Sequence, residues 1–194
     1  MEKHNWENSP WYSSYEENNY GELFYSLMRV YKPEKVVELG TKAGYSAYHI
    51  AKGLKANGKG TLDCHDFWEK YEFNSVPQSV AEENLKKFKN IISLKAGDAV
   101  GADKSYRIVD ILHVDVSNDG GILEKIIPCW IEKVRQVVII EGGSAERDNL
   151  DWMLKYKKIP IKKWLKDFAG RQGDIQYFTI EPFPSLTIIK KICQ

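Results

Sequence analysis

The sequence predicts an α/β domain: a doubly wound sheet of seven strands, mostly parallel, closed by a C-terminal antiparallel hairpin. Three observations lead there. Short apolar runs alternate with segments of helical spacing from residue 21 onward, an order that lays parallel strands under helices on both faces. A glycine turn, Glu38-Leu39-Gly40-Thr41-Lys42-Ala43-Gly44-Tyr45-Ser46, joins the first apolar run to the next helix. Two strand-like runs, 175–180 and 186–189, are separated only by Glu181-Pro182-Phe183-Pro184-Ser185. So short a link cannot carry a parallel crossover, which makes the two strands antiparallel neighbours.

The elements follow in order. Residues 1–20 stand apart, polar and aromatic, with Trp6, Trp11, Tyr12, Tyr15 and Tyr20 among Asn, Ser and Glu. They are expected to form an arm or lid, and residues 21–194 a single domain. Leu23, Phe24, Leu27, Met28 and Tyr31 recur at helical spacing until Pro33 stops the helix. A strand over 36–39 leads to a helix over 45–56, ended by Asn57-Gly58. Then come a strand over 61–66, a helix over 80–88 and a strand over 91–95 that closes on Ala96-Gly97-Asp98. A fourth strand, 109–116, carries His113 and Asp115; a helix over 121–133 contains Pro128; a fully apolar fifth strand spans 137–140.

The bulk numbers narrow the function. A length of 194 residues suits one domain with a sizeable core. Lys plus Arg number 28 against 27 Asp plus Glu, so the balance gives no general attraction to nucleic acid or membrane. Cys64, Cys129 and Cys193 are odd in number and lack metal-ligand spacing; Cys64 and Cys129 read as reduced, buried thiols. With no leader pattern and no apolar run long enough to cross a bilayer, a cytoplasmic location is expected.

Chemistry should sit at the strand ends, because ligands of open α/β sheets bind beyond them, at the switch point. The first strand ends in Glu38 and Gly40, the second in His65-Asp66-Phe67-Trp68, the third in Gly97-Asp98, the fourth in Asp115 and the fifth in Glu141-Gly142-Gly143. Gly40 and Gly44 permit close backbone approach, and the helix opening at Tyr45 and Ser46 offers unpaired N–H groups. An acid ahead of the turn suits an ammonium better than a pyrophosphate, and no third glycine completes the dinucleotide pattern. Asp66 is placed to accept ribose hydroxyls or to cap the following loop, and Asp98 to accept from an adenine amine or to make a turn. Phe67 and Trp68 are suited to stacking on a base or to packing under the neighbouring helix.

The turn E-x-G-x-x-x-G-x-S, with Asp66-x-Trp68, Gly97-Asp98 and the run Val109-Asp110-Ile111-Leu112-His113-Val114-Asp115, resembles class I S-adenosylmethionine-dependent methyltransferases, whose fold is Rossmann-like. Within them it is most similar to the small bacterial macrocin-type and sugar O-methyltransferases. The resemblance implies O-methylation of a small molecule such as a sugar or secondary metabolite, with S-adenosylmethionine as cofactor. It assigns Glu38, Gly40 and Gly44 to the methionine part, Asp66 to the ribose, Asp98 to the adenine end, and Asp115 to the methionine and acceptor side; Thr41, Ser46, Phe67, Trp68 and Gly97 are further candidates for cofactor binding. Relatives of this branch commonly carry Gly-x-His-x-Tyr after the fourth strand, where this chain has Val116-Ser117-Asn118-Asp119-Gly120.

The catalytic side is therefore read from residue type. Asp115 and His65 are candidates for proton handling, while His113, inside a strand, reads as a core residue. Trp11, Tyr12 and Glu141 are candidates for acceptor binding. The preferred reading uses no metal; a magnesium ion would take Asp115, Asp119 and Glu141, Asp119 otherwise capping the next helix. Lys155, Lys157, Lys158, Lys162, Lys163 and Lys166 form a basic stretch, read as a solvated helix face. The expected partner is a small-molecule acceptor, with no membrane or nucleic acid and with a second copy as a further option. The competing functions are a non-catalytic protein keeping the cofactor pocket, a nucleic-acid methyltransferase and a nicotinamide oxidoreductase. The missing third glycine and the closing hairpin argue against the oxidoreductase.

Overall fold

The computed structural model describes residues 9–70 and 76–192; Trp6 and Cys193 lie outside them. Helix α1 (Tyr20–Tyr31) precedes β1 (Lys35–Leu39), α2 (Tyr45–Asn57), β2 (Thr61–Asp66), α3 (Gln78–Leu85), β3 (Ile92–Ala96) and β4 (Val109–Val114). Then follow α4 (Gly120–Trp130), β5 (Val134–Glu141), the short helices α5 (Ala145–Asp148) and α6 (Asp151–Lys155), α7 (Ile161–Gln172), β6 (Ile175–Ile180) and β7 (Leu186–Lys191). The expected elements are all present. The fourth strand stops at Val114 rather than 116, and the helix expected over 80–88 is α3 followed by a 3-10 turn at Lys86–Phe88.

One sheet orders the strands β3-β2-β1-β4-β5-β7-β6. Strands β1 to β5 are parallel, and β7 is antiparallel to both β5 and β6. The last strand thus inserts between its hairpin partner and β5. The direction of winding reverses between β1 and β4, which pair Leu39 with Val114, while Leu39 pairs with His65 on the other side. The carboxyl ends of β1, β2 and β4 therefore lie level at the switch point.

Both faces are covered, as continuous apolar strands require. On one, α1 and α2 pack together through Phe24, Met28, Ile50 and Leu54, and a Cβ on Gly53 would lie 2.6 Å from Met28 Cβ. On the other, Leu123, Ile126, Ile127 and Trp130 of α4 meet Ile161, Trp164, Leu165 and Phe168 of α7. The spacing i, i+3, i+4, i+7 of the α7 set is an amphipathic stripe. Lys162, Lys163 and Lys166 occupy its exposed back, so half of the basic stretch is a solvated face, as read. Cys129 is a correction. The apolar stripe of α4 points inward and leaves Pro128 and Cys129 on the solvent side, so Cys64 is buried but Cys129 is exposed.

Candidate functional site

The site begins where β1 stops. Gly40 has φ +88 and donates its N–H to His65 O at 2.8 Å, while Asp115 N donates to Leu39 O at 2.7 Å. A Cβ on Gly40 would stand 2.0 Å from Asp115 O. Its glycine is thus required by the approach of β4, before any ligand is considered. Gly44, φ +92, sits just ahead of α2, and its missing Cβ leaves room for Leu85 of α3.

Asp66 holds the turn shut. Its Oδ2 accepts from Thr41 N (2.8 Å) and Lys42 N (2.7 Å), and its Oδ1 accepts from Trp68 N (2.7 Å). The Trp68 indole donates to Lys42 O at 2.9 Å. Hydrogen bonds to an ionised partner contribute about 1.5–3 kcal/mol each, and their loss strands three N–H groups. Asp66→Ala should therefore lower stability by at least about 2 kcal/mol, read by urea unfolding; an unchanged midpoint would exclude the clamp.

Above the turn opens a cleft of about 960 Å³. Its walls are the segment 11–14, the turn 40–42 with Tyr45 and Ser46, the β4 end from Asp115 to Asn118, Glu141, and a far side of Arg147, Trp152, Lys158 and Phe183. The segment 11–14 is pinned there. Lys42 Nζ donates to Tyr12 O at 2.6 Å, Ser14 Oγ donates to Glu141 Oε1 at 3.0 Å, and Trp11 packs edge-on against Tyr45 and Tyr48.

Charge concentrates at the ends of β4 and β5. Glu141 Oε1 also accepts from Arg147 Nη2 at 3.0 Å, and its Oε2 accepts from Asn118 Nδ2 at 2.9 Å. Burial works to raise the Glu141 carboxyl, but Arg147 and the bonds from Asp115, Asn118 and Ser14 hold it down at about 2. Asp115 is pushed the other way, well above the carboxylate range, by burial and by the Glu141 charge beside it. The pair sets its two acids apart: Glu141 becomes the stronger acid and Asp115 the weaker. The Arg147 guanidinium lies 5.1 Å from the Trp152 ring centre and 5.4 Å from that of Phe183.

Beneath the cleft runs a sealed polar chain. Ser46 Oγ donates to Glu38 Oε1 at 2.6 Å, His113 Nδ1 meets the same oxygen at 3.0 Å, and His113 Nε2 meets Tyr15 OH at 3.1 Å. Glu38 and His113 are wholly buried. The core reading of His113 holds, and Glu38 reaches the cleft through Ser46.

The structure brings Trp11, Tyr12, Gly40, Thr41, Ser46, Asp115 and Glu141 to one cleft. It sends others elsewhere. His65 points away with Asp63, where its Nε2 meets Tyr106 OH at 2.7 Å, and burial with Lys95 lowers its basicity. Alternation along β2 places these two on the sheet face rather than at its end. Trp68 is packed in the core, so its ring is not offered to a ligand; Phe67 is 39% exposed. Asp98 is exposed and accepts from Val100 N at 2.9 Å, the turn alternative. Asp119 accepts from Gly121 N at 2.8 Å and Ile159 N at 3.2 Å, capping α4. Among the described residues no group of three or more His, Cys, Asp or Glu is placed to hold a metal.

Sequence reasoning missed Arg147 and Asn118, and it read Lys158 as part of a solvated helix face, whereas Lys158 precedes α7 and lines the cleft. The signal for Arg147 was the N-capping Ser144, whose Oγ accepts from Arg147 N at 3.1 Å. That cap folds a cation back onto the acid ending β5.

The family described as a methyltransferase domain matches residues 37–142, just over half of the chain. No curated protein sequence matches. Among solved structures, the O-methyltransferase TomG of Streptomyces achromogenes, in complex with SAM, is 17% identical with a TM-score of 0.69, covering 100% of this chain and 92% of its own. The SAH-bound methyltransferase PaMTH1 of Podospora anserina is 18% identical at 0.68, over 88% and 77%. An O-methyltransferase of Bacillus cereus in complex with SAH is 14% identical at 0.66, over 89% and 80%. At such identities the likeness is one of fold.

Proposed function

Because this chain belongs to the methyltransferase-domain family, we propose that it methylates a hydroxyl of a small molecule with S-adenosylmethionine. One observation carries the reading: the switch-point cleft places an amide- and hydroxyl-lined turn on one side and an acid pair with a buried cation on the other. The residues present fit the cofactor. Asn118 Oδ1 is a buried acceptor without a partner in that cleft, suited to an ammonium. The α2 N-terminus with Ser46 suits a carboxylate. Asp66 has about one of its four acceptor positions left for a ribose hydroxyl. When bound, S-adenosylmethionine supplies a methyl on a cationic sulfur. Asp115, whose carboxyl holds its proton more tightly than an ordinary aspartate in the free protein, would meet that positive charge as a carboxylate. The segment 11–14 would cover the acceptor and exclude water.

Calorimetric titration with S-adenosylhomocysteine, with NADH as control, tests the reading. Saturable binding of the first alone supports it; no binding by folded protein rejects it. Asp115→Asn gives a second check, with its sign set by the raised pKa of Asp115. An aspartate whose folded pKa lies above its unfolded value costs stability as pH rises past about 4. The variant should melt about 2–4 °C higher at pH 7, the scale of about 1 kcal/mol in a chain of this size. The gain should fade toward pH 4, and the variant should bind S-adenosylmethionine more weakly.

A further inference from the structure

Methyl transfer to oxygen requires the hydroxyl to lose its proton, and the cleft offers little to take it. Glu141 is ionised but held at about 2, far too weak a base. Asp115, on the methyl-transfer reading, is the carboxylate committed to the positive charge of the cofactor rather than to the acceptor. Among the described residues no imidazole lines the cleft: His113 is sealed in the core, and His65 pairs with Tyr106. Lys158 Nζ donates to Ser117 Oγ at 2.7 Å and sits 4.6 Å from the Trp152 ring centre, its ammonium half-buried. Burial does lower its basicity, yet its position is fixed by Ser117 and Trp152.

What the cleft does hold is a fixed cation. Arg147 is 8% exposed, its Nη2 bonds Glu141, two aromatic rings flank it, and its Nε has no hydrogen-bond partner. A buried guanidinium N–H without an acceptor is costly unless a ligand supplies one. Resting on the methyl-transfer reading, we propose that Arg147 receives the acceptor oxygen as an anion, and that the acceptor is consequently a phenol rather than a sugar alcohol. The acceptor O–H breaks, its proton leaves to solvent through the mouth of the cleft, and the oxyanion accepts from Arg147 Nε. A charged donor placed where negative charge develops acts most strongly in a dry site. A phenol ionises near pH 10 (about 10 for tyrosine), within reach of such assistance. An aliphatic alcohol lies several units higher. Trp11, Tyr12 and Tyr45 add aromatic surface for a planar ring.

The probe is 4-nitrophenol, whose ionisation is read by its phenolate absorbance, bound to the whole protein in the presence of S-adenosylhomocysteine. The bound probe should ionise about one pH unit lower than in water, a roughly tenfold preference for the anion. The shift should vanish in Arg147→Met, return in part in Arg147→Lys, and persist in Lys158→Met. Where Arg147→Met does not fold, Arg147→Met combined with Glu141→Gln removes both charges and serves instead. A shift that survives loss of Arg147, a shift lost only with Lys158, or failure of the probe to bind overturns the proposal. Calorimetry with S-adenosylhomocysteine separates the two ideas: normal binding without a phenolate shift rejects only the role of Arg147.

Discussion

Gly40→Ala is expected to abolish S-adenosylhomocysteine binding and to lower the melting temperature by about 4–20 °C. Two costs add. The backbone at φ +88 lies where L side chains pay about 1–2 kcal/mol, and the new Cβ would stand 2.0 Å from Asp115 O. Relief requires moving β1 from β4 or breaking the bonds Gly40 N to His65 O and Asp115 N to Leu39 O. Overpacking of this kind costs about 1–3 kcal/mol, so the sum is about 2–5 kcal/mol, and each kcal/mol is about 2–4 °C here. Gly97→Ala is the control: nothing lies within 4 Å of its Cβ and its φ is not positive, so it should change stability by less than about 0.5 kcal/mol. A Gly40→Ala protein as stable as wild type would refute the packing account.

Glu141→Ala should cost about 3–5 kcal/mol, the size found when one member of a buried ion pair is deleted. It leaves Arg147 without its counter-ion and takes the acceptor from Ser14 and Asn118. The difference must depend on pH. Glu141 in the fold titrates at about 2, below the unfolded value of about 4.3. Its contribution is therefore complete above about pH 4.3 and is lost as pH falls toward about 2. Urea midpoints of wild type and variant should converge across that window; a gap independent of pH would mean that the ion pair contributes nothing.

Much of the fold was legible because apolar periodicity and loop length are local properties. The turn at Gly40, the antiparallel pair β6 and β7, and the acids at each strand end could all be read from spacing. The insertion of β7 between β5 and β6 could not, since pairing order is decided by contacts far apart in sequence. The site was half legible for the same reason. Glycines and acids announce themselves at strand ends, but side-chain direction does not: Asp66 faces its own turn, Trp68 the core, and His65 the sheet face. Arg147 was hidden by a short capped helix, a single-turn detour that no periodic pattern records.

The residues that close the cleft come from opposite ends of the chain. Ser14 meets Glu141 across 127 positions, and Asn18 Nδ2 donates to Phe183 O across 165. Bringing such distant segments together pays loop-closure entropy before any contact rewards it. During synthesis Trp11 and Tyr15 can pack early on Tyr45, Tyr48, Tyr20 and Phe24, but Ser14 and Asn18 wait for β5 and the stretch before β7 to emerge. The pocket is among the last features to form, because a chain stalled before Glu141 has neither the carboxylate that receives Ser14 nor the carbonyl that receives Asn18.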